Sequence, residues 1–212
     1  LTARGCTRRL HPEATLPAMN FLGHLYLSGS DPLVMVGNFM ADAVKGRDLS
    51  GYHPDLQRGI RLHRRIDSFT DQHPITAIGR ERVRAHCGKY SGVALDLFYD
   101  HLLASEWSRF HAEPLPVFAQ RCYRLLGEEQ ALLPERTRHM LPYMVKGDWL
   151  TSYATIGGIG RALGGLSQRA FRAEALQGAE VVLNEHIRVY RDEFSTFLAA
   201  IEEHIREANN EE

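Results

Sequence analysis

The stretch "GIRLHRRIDSFTDQHP", residues 59–74, combines the signs of a helix with charged side chains on its apolar face. Ile60, His63, Asp67 and Thr70 follow one another at intervals of three and four residues, which places them on one face of an α-helix. His63 and Asp67 therefore point to the same place. The pair is either a buried polar contact that stabilises the fold or part of a binding site, and the rest of the chain must distinguish these alternatives.

The same helical spacing extends along nearly the whole chain, and the alternation typical of strands is scarce. Caps, prolines at helix starts and glycines past helix ends divide the pattern into segments. We predict helices at about residues 32–45, 54–71, 76–87, 91–107, 116–126, 134–145, 149–164 and 167–208, the last either continuous or interrupted near Gly178. The predicted fold class is all-α, a single-domain helical bundle.

Composition and charge exclude several classes of protein. Of the 212 residues, 44% are hydrophobic and 24% charged, as in an ordinary globular domain. The net charge of −1 gives no global attraction to nucleic acid or to an anionic membrane. No apolar run approaches the roughly 20 residues that span a bilayer. Three cysteines without a CxxC spacing argue against a disulfide framework. We expect a cytoplasmic protein without a membrane or nucleic-acid partner.

The first residues differ from the rest of the chain. Residues 1–18 are basic and lack the apolar centre of a secretory signal. Periodic apolar sequence begins at Met19, in "MNFLGHLYL". We expect residues 1–18 to form a weakly structured N-terminal extension and residues 19–208 to form the helical domain. A basic targeting leader is the alternative interpretation of the extension.

Three further segments repeat the combination of polar side chains with an apolar helical pattern. They contain His24, the pair Asn38 and Asp42, and the pair Asp96 and Asp100 with His101 directly after it. Burying several carboxylates together is costly unless positive charge compensates them. A bound divalent metal is a simple source of that charge, and histidine with carboxylate ligands suits Mn²⁺, Fe²⁺, Mg²⁺ or Zn²⁺. The lack of thiolate ligands argues against a structural zinc site.

Each group by itself also has a structural interpretation. His24 can be a hydrogen-bonded core histidine, and Asp42 can contact a cap or an arginine near the end of its helix. Asp96 and Asp100 can pair with arginines across a helix interface. Because four separate segments carry metal-type ligands, we favour a metal centre.

Arginines are frequent around the opening stretch. Arg64 and Arg65 adjoin His63, so at least one of them could contact a phosphate oxygen. The others are Arg58, Arg61, Arg80, Arg82 and Arg84. They form either a solvated basic face or a patch for an acidic macromolecular substrate. The glycine-rich "GGIGRALGG", residues 157–165, lacks the spacing of a phosphate loop and follows no strand, so we interpret it as a close-packed helix junction.

Five segments resemble the bacterial acyl carrier protein phosphodiesterases. They are "MNFLGHLYLS", "GNFMADAVKG", "GIRLHRRIDSFTDQHP", "ALDLFYDHLLASEW" and "WLTSYATIGGIGRAL", in the same order between about residues 19 and 205. That family is a divergent branch of the HD metal-dependent phosphohydrolases, so the resemblance implies an HD-phosphohydrolase-like bundle. It also implies a role in fatty acid biosynthesis and lipid metabolism. The implied reaction releases 4′-phosphopantetheine from a serine of holo acyl carrier protein, leaving apo carrier protein, with Mn²⁺ as the usual activator.

The resemblance and the residue pattern indicate the same site. The candidate metal ligands are His24, Asp42, His63, Asp67, Asp96 and Asp100, and the candidate catalytic residues are Asp67, Asp100, His101, Arg64 and Arg65. In this hypothesis one or two metals acidify a water and polarise the phosphoryl oxygens. Arg64 or Arg65 holds the phosphate charge, and His101 or a nearby carboxylate protonates the leaving serine oxygen.

One departure and two alternatives accompany this hypothesis. The ordinary HD dyad has histidine before aspartate, whereas this chain has Asp100 before His101. The first alternative is an HD-type phosphohydrolase that acts on nucleotides or another small phosphodiester. The second is a non-enzymatic helical binding module whose inward carboxylates form salt bridges.

Overall fold

The computed structural model describes residues 21–169 and 172–210, and every regular element within them is helical. The α-helices are α1 (Phe21–Leu27), α2 (Pro32–Met40), α3 (Pro54–Gln72), α4 (Pro74–Cys87), α5 (Ser91–Ser105), α6 (Leu115–Glu128), α7 (Glu135–Lys146), α8 (Trp149–Ser152), α9 (Ile156–Arg169), α10 (Glu180–Glu185) and α11 (Ile187–Asn210). The all-α prediction is confirmed. The prediction for residues 1–18 lies outside the described residues, and the HD-type likeness stays a prediction.

Three predicted helices were wrong in extent. Helix α2 ends at Met40 and passes into a short 3₁₀ turn, Ala41–Ala43, instead of continuing to residue 45. The segment 149–164 divides into α8 and α9. The predicted helix over 167–208 is interrupted more than once, and α11 begins only at Ile187. Gly178 has a φ of +83°, which a continuous right-handed helix cannot contain.

Two glycines control how closely α2 and α3 approach each other. A Cβ atom on Gly37 would lie 2.3 Å from the carbonyl oxygen of Leu56, and one on Gly59 would lie 2.1 Å from the carbonyl oxygen of Val34. No side chain fits at such distances, so the two backbones can touch only because both positions are glycine. This close crossing brings the end of α2 against the polar face of α3.

Helix α5 lies at the centre of the bundle, packed against α1, α4, α9 and α11. Its side chains are buried on nearly every side, including Leu95, Leu97 and Phe98. A helix that is apolar all round is the expected occupant of such a position. No helix in the described part of the chain is long and apolar enough to cross a membrane. Cys87 and Cys122 are free and buried.

Candidate functional site

His24 from α1 meets the pair His63 and Asp67 from α3, with both histidines buried and the Asp67 side chain 36% exposed. The two imidazole rings are stacked, with centroids 4.0 Å apart. Asp67 places Oδ1 3.2 Å from His24 Nε2 and Oδ2 3.2 Å from His63 Nε2. Asp42, in the turn after α2, places Oδ1 3.3 Å from His63 Nε2. We call His24, Asp42, His63 and Asp67 the histidine–aspartate cluster.

Asn38 fixes the orientation of both imidazoles. Its Nδ2 donates to the carbonyl oxygen of His24 (3.0 Å) and to Ser28 Oγ (2.9 Å). Because a carbonyl oxygen can only accept, the orientation of the amide is determined. Asn38 Oδ1 therefore faces the Nδ1 atoms of His24 (2.9 Å) and His63 (3.1 Å) and accepts from both. Both rings carry hydrogen at Nδ1 and turn Nε2 towards the carboxylates, which is the arrangement of metal-binding histidines.

One atom of the cluster lacks a hydrogen bond. His24 Nε2 is buried and has no hydrogen-bond partner, although Asp67 Oδ1 lies 3.2 Å away, because a ring with its hydrogen at Nδ1 has none at Nε2 to donate. Buried polar atoms are normally satisfied, so an exception needs an explanation. Imidazole nitrogens and carboxylate oxygens are donors that a divalent cation accepts. The donor set and the unsatisfied nitrogen both fit a bound cation.

The charges of the cluster are strongly coupled. Burial lowers the pKa of His63, but hydrogen bonds to Asp42 and Asp67 outweigh it and raise that pKa to about 9. Burial and the neighbouring His63 lower the pKa of His24. Burial would raise the pKa of Asp67, yet its contacts with both histidines hold it well below the usual value. Asp67 thus stays ionised, and positive charge beside it, from the protonated His63 or from a bound cation, stabilises it.

A family model for acyl carrier protein phosphodiesterase matches residues 19–201. The chain belongs to this family. The match covers the whole cluster and the helices that form it, and it confirms the family that the sequence segments resemble. The chain is therefore an enzyme of this kind.

Individual relatives carry the same description. The acyl carrier protein phosphodiesterase of Yersinia pestis is 32% identical over 180 residues, which cover 84% of this chain and 93% of that protein. The Photorhabdus laumondii protein is 31% identical over 169 residues, 79% of this chain and 85% of its own length. The Serratia proteamaculans protein is 33% identical over 171 residues, 79% and 89% respectively. No solved structure matches the chain significantly.

In this phosphodiesterase the polar atoms of Asp100 and His101 contact backbone groups and not the cluster. Asp100 accepts hydrogen bonds from the backbone N–H groups of Leu22 (Oδ2, 3.0 Å) and Gly23 (Oδ1, 2.8 Å), and so caps the first turn of α1. Burial raises its pKa to about 7, and the two N–H bonds oppose that rise. His101 Nδ1 lies 2.8 Å from the carbonyl oxygen of Tyr153. The structure brings neither residue into the group of ligand atoms within its described residues.

Asp96 occupies an intermediate position. It lines a cavity of about 40 Å³ together with His24, Thr70 and Asp100. Burial, reinforced by the negative charges of Asp67 and Asp71, raises the pKa of Asp96 well above the usual value. As a ligand, Asp96 stays a prediction, as does Asp100.

The predicted arginines have mostly structural partners. Arg64 Nη2 donates to the carbonyl oxygens of Gly46 (2.8 Å) and Val44 (3.4 Å), and so ties down the loop that follows Asp42. The ion pairs of the later arginines are Arg80 with Asp71, Arg82 with Glu193 and Arg84 with Glu81. Arg65 lines a surface groove beside α3. Phosphate binding by Arg64 or Arg65 stays a prediction.

Sequence reasoning missed two arginines near the cluster. Arg136 of α7 and Arg169 of α9 line a cleft that also contains Asp42. No spacing rule connects residues so far apart in the sequence, and their surroundings are ordinary surface helix. Only the tertiary structure reveals the neighbourhood, because residues of α1, α2, α7 and α9 line the same cleft.

Proposed function

We propose that this chain is a metal-dependent phosphodiesterase that hydrolyses 4′-phosphopantetheine from holo acyl carrier protein, leaving apo acyl carrier protein. Family membership and the names of the relatives support the carrier protein as substrate. One observation carries the metal-dependent part of the proposal. Two imidazole Nε2 atoms and the Asp67 carboxylate converge on one place, Asp42 lies beside His63, and one of the two nitrogens has no hydrogen-bond partner.

The histidine–aspartate cluster would hold the cation. Mn²⁺ is the proposed ion, with Mg²⁺, Fe²⁺ or Zn²⁺ as alternatives that the same donor set accepts. When bound, such an ion supplies positive charge to a phosphoryl group and makes water more acidic. The chain itself contributes orientation, because Asn38 holds both imidazoles with Nε2 directed at the carboxylates. Asp42 is the cluster member at the cleft, with a side chain 25% exposed, so the substrate would enter on its side.

The carrier protein would dock on the arginine-bearing side of α3. Carrier proteins are acidic, and Arg58, Arg61 and Arg65 line one groove on this side. Arg58 pairs with Asp55 at 2.8 Å, but both groups face solvent. An exposed pair of this kind contributes little to stability, so an acidic partner could replace it at small cost. Complementary charge would speed the encounter and orient the carrier.

Intact-mass measurement of holo acyl carrier protein tests this function. The carrier is incubated with the protein in the presence of Mn²⁺ and, in parallel, in the presence of a chelator. We expect loss of the complete phosphopantetheine group with Mn²⁺ and no loss with chelator. Cleavage of small phosphodiesters with an unchanged carrier would instead support the nucleotide-type alternative. No cleavage and no bound metal would leave the non-enzymatic binding module.

A further inference from the structure

A cleft of about 420 Å³ opens beside the histidine–aspartate cluster. Asp42 belongs to both, since it lines the cleft and lies 3.3 Å from His63 Nε2. The volume is within the range of about 300–1,000 Å³ that is typical of sites for small molecules. A molecule in this cleft would therefore have one end at the cluster.

The walls of the cleft are mainly apolar. Phe21 of α1 and Phe39 of α2 form one side, with ring centroids 5.4 Å apart. Met140 and Tyr143 of α7 and Leu166 of α9 form the other. Tyr143 is 60% exposed, which places it at the open edge. Such walls suit a slender chain rich in methyl and methylene groups.

Two guanidinium groups add positive charge to these walls. Neither Arg136 nor Arg169 forms an ion pair with any residue that the structure describes. Arg169 Nε donates to the carbonyl oxygen of Gly165 (2.8 Å), and its guanidinium lies 5.9 Å from the ring centroid of Trp149. A Cβ on Gly165 would lie 2.8 Å from Arg169 Nη2, so the glycine leaves space for the guanidinium. Gly165, in the glycine-rich segment 157–165, thus leaves room for the Arg169 side chain.

We infer that this cleft binds the pantetheine arm of the substrate, and that Arg136 and Arg169 contact the phosphate that stays on it. The inference rests on the proposed function. In that reaction water adds its oxygen to phosphorus, the bond between phosphorus and the serine oxygen breaks, and the serine oxygen takes a proton. The phosphate remains on the pantetheine and gains negative charge, which two guanidinium groups stabilise. A folded carrier is too bulky for the cleft, whereas the slender arm fits.

Binding of free 4′-phosphopantetheine to the Mn²⁺-loaded protein tests this assignment without turnover. Isothermal titration calorimetry compares the wild type with the double variant Arg136→Met and Arg169→Met. Methionine keeps most of the apolar stem, and both arginines are exposed, so the fold should be retained. We expect about 10- to 100-fold weaker binding from the loss of charge-assisted hydrogen bonds. Binding of pantetheine, which lacks the phosphate, should not change.

Matched controls lie on the same two helices. Arg138→Met on α7 and Arg161→Met on α9 remove exposed arginines that do not line the cleft, and they should leave binding unchanged. Lysine at both cleft positions should restore part of the affinity, since it keeps the charge but not the planar fork.

The outcomes separate this inference from the proposed function. Release of phosphopantetheine from the carrier by the wild type, together with unchanged affinity in the double variant, would overturn the inference and leave the function intact. An equal loss of affinity for pantetheine would mean that the walls had changed, and would also overturn the phosphate contact. If the wild type releases nothing from the carrier, the function fails first and the inference fails with it.

Discussion

Two pairs of aspartate and histidine in this chain have opposite surroundings. In α3, His63 and Asp67 face a second imidazole and a second carboxylate, so that His63 Nε2 and both Asp67 oxygens contact other ionisable groups. In α5, Asp100 accepts from two backbone N–H groups, and His101 contacts the carbonyl oxygen of Tyr153. The pair in α3 therefore keeps nitrogen and oxygen atoms that can bind a ligand. The second pair is already satisfied by the backbone.

The difference shows that residue type does not decide the role of a buried polar group. A carboxylate that receives N–H bonds from a helix start stabilises that helix and needs no cation. A carboxylate that faces imidazole nitrogens remains charged and requires positive charge nearby. The same distinction separates the effects that substitutions in the two pairs should have.

The largest effect is expected from Asp67→Asn. The amide keeps the shape of the side chain but loses the charge that both histidines contact. We expect carrier hydrolysis to fall by more than about 100-fold, because the cluster would lose a proposed metal ligand. The free energy of unfolding in urea should fall as well, because the buried His63 loses one of the two carboxylates that stabilise its charged form.

The matched control for this substitution is Asp71→Asn, one turn further along α3. Its side chain is 78% exposed and pairs with Arg80 at 3.1 Å, outside the cluster. Hydrolysis should remain near the wild-type rate. Equal losses of activity in the two variants would contradict the special position of Asp67.

The second-largest effect is expected on the free energy of unfolding, from substitution of Asp100 in α5. Asp100→Ala removes the acceptor for the N–H groups of Leu22 and Gly23. We expect a loss of about 2–3 kcal/mol in the free energy of unfolding, because buried donors are left without partners. Urea denaturation followed by circular dichroism measures it.

Asp100→Asn sharpens this test, since the amide oxygen can keep one of the two bonds. Its loss should be smaller than that of the alanine variant. If Asp100→Ala instead folds as stably as the wild type but binds no metal, Asp100 is a ligand and the contrast between the pairs fails.

The smallest effect is expected from Asn38→Ala, on the affinity for Mn²⁺. Asn38 touches both imidazoles without being a ligand, so its loss frees the rings to rotate. Substitution of such an outer partner typically weakens metal binding by about 10- to 100-fold. Competition with a chelator of known Mn²⁺ affinity measures the change.

Ser28→Ala provides the comparison for Asn38. Ser28 contacts the Asn38 amide but neither imidazole ring, so its loss should weaken Mn²⁺ binding much less. If both variants bind Mn²⁺ as the wild type does, Asn38 does not orient the ligands.

Much of the fold could be predicted from local patterns. The predicted starts and ends of α3, α4, α6 and α7 lie within two residues of the observed ones, because proline, glycine and capping groups act through neighbouring backbone. Over residues 167–208 the interruption near Gly178 is confirmed. A continuous helix is wrong there, because the apolar stripe continues through the interruptions. Leu176, Leu183, Tyr190 and Phe197 are buried although three separate elements carry them. Burial of a stripe requires only a shared face, and not a continuous helix.

The features of the candidate site likewise divide into those that local sequence patterns predict and those that they do not. The pairing of His63 with Asp67 follows from helical spacing alone, and the inward position of His24, Asn38 and Asp100 follows from their apolar neighbours. What each polar group contacts could not be predicted, because Asp67 and Asp100 look equivalent in the sequence.

The sequence by itself determined an all-helical chain with polar groups on apolar faces, since helical period and turn chemistry depend on residues close together in the chain. Only the tertiary structure decided which of those groups meet. The glycine crossing of α2 with α3 places Asp42 beside His63, while the start of α1 occupies both oxygens of Asp100. Such contacts depend on the angle and distance at which helices cross, and these are set by packing across the whole bundle.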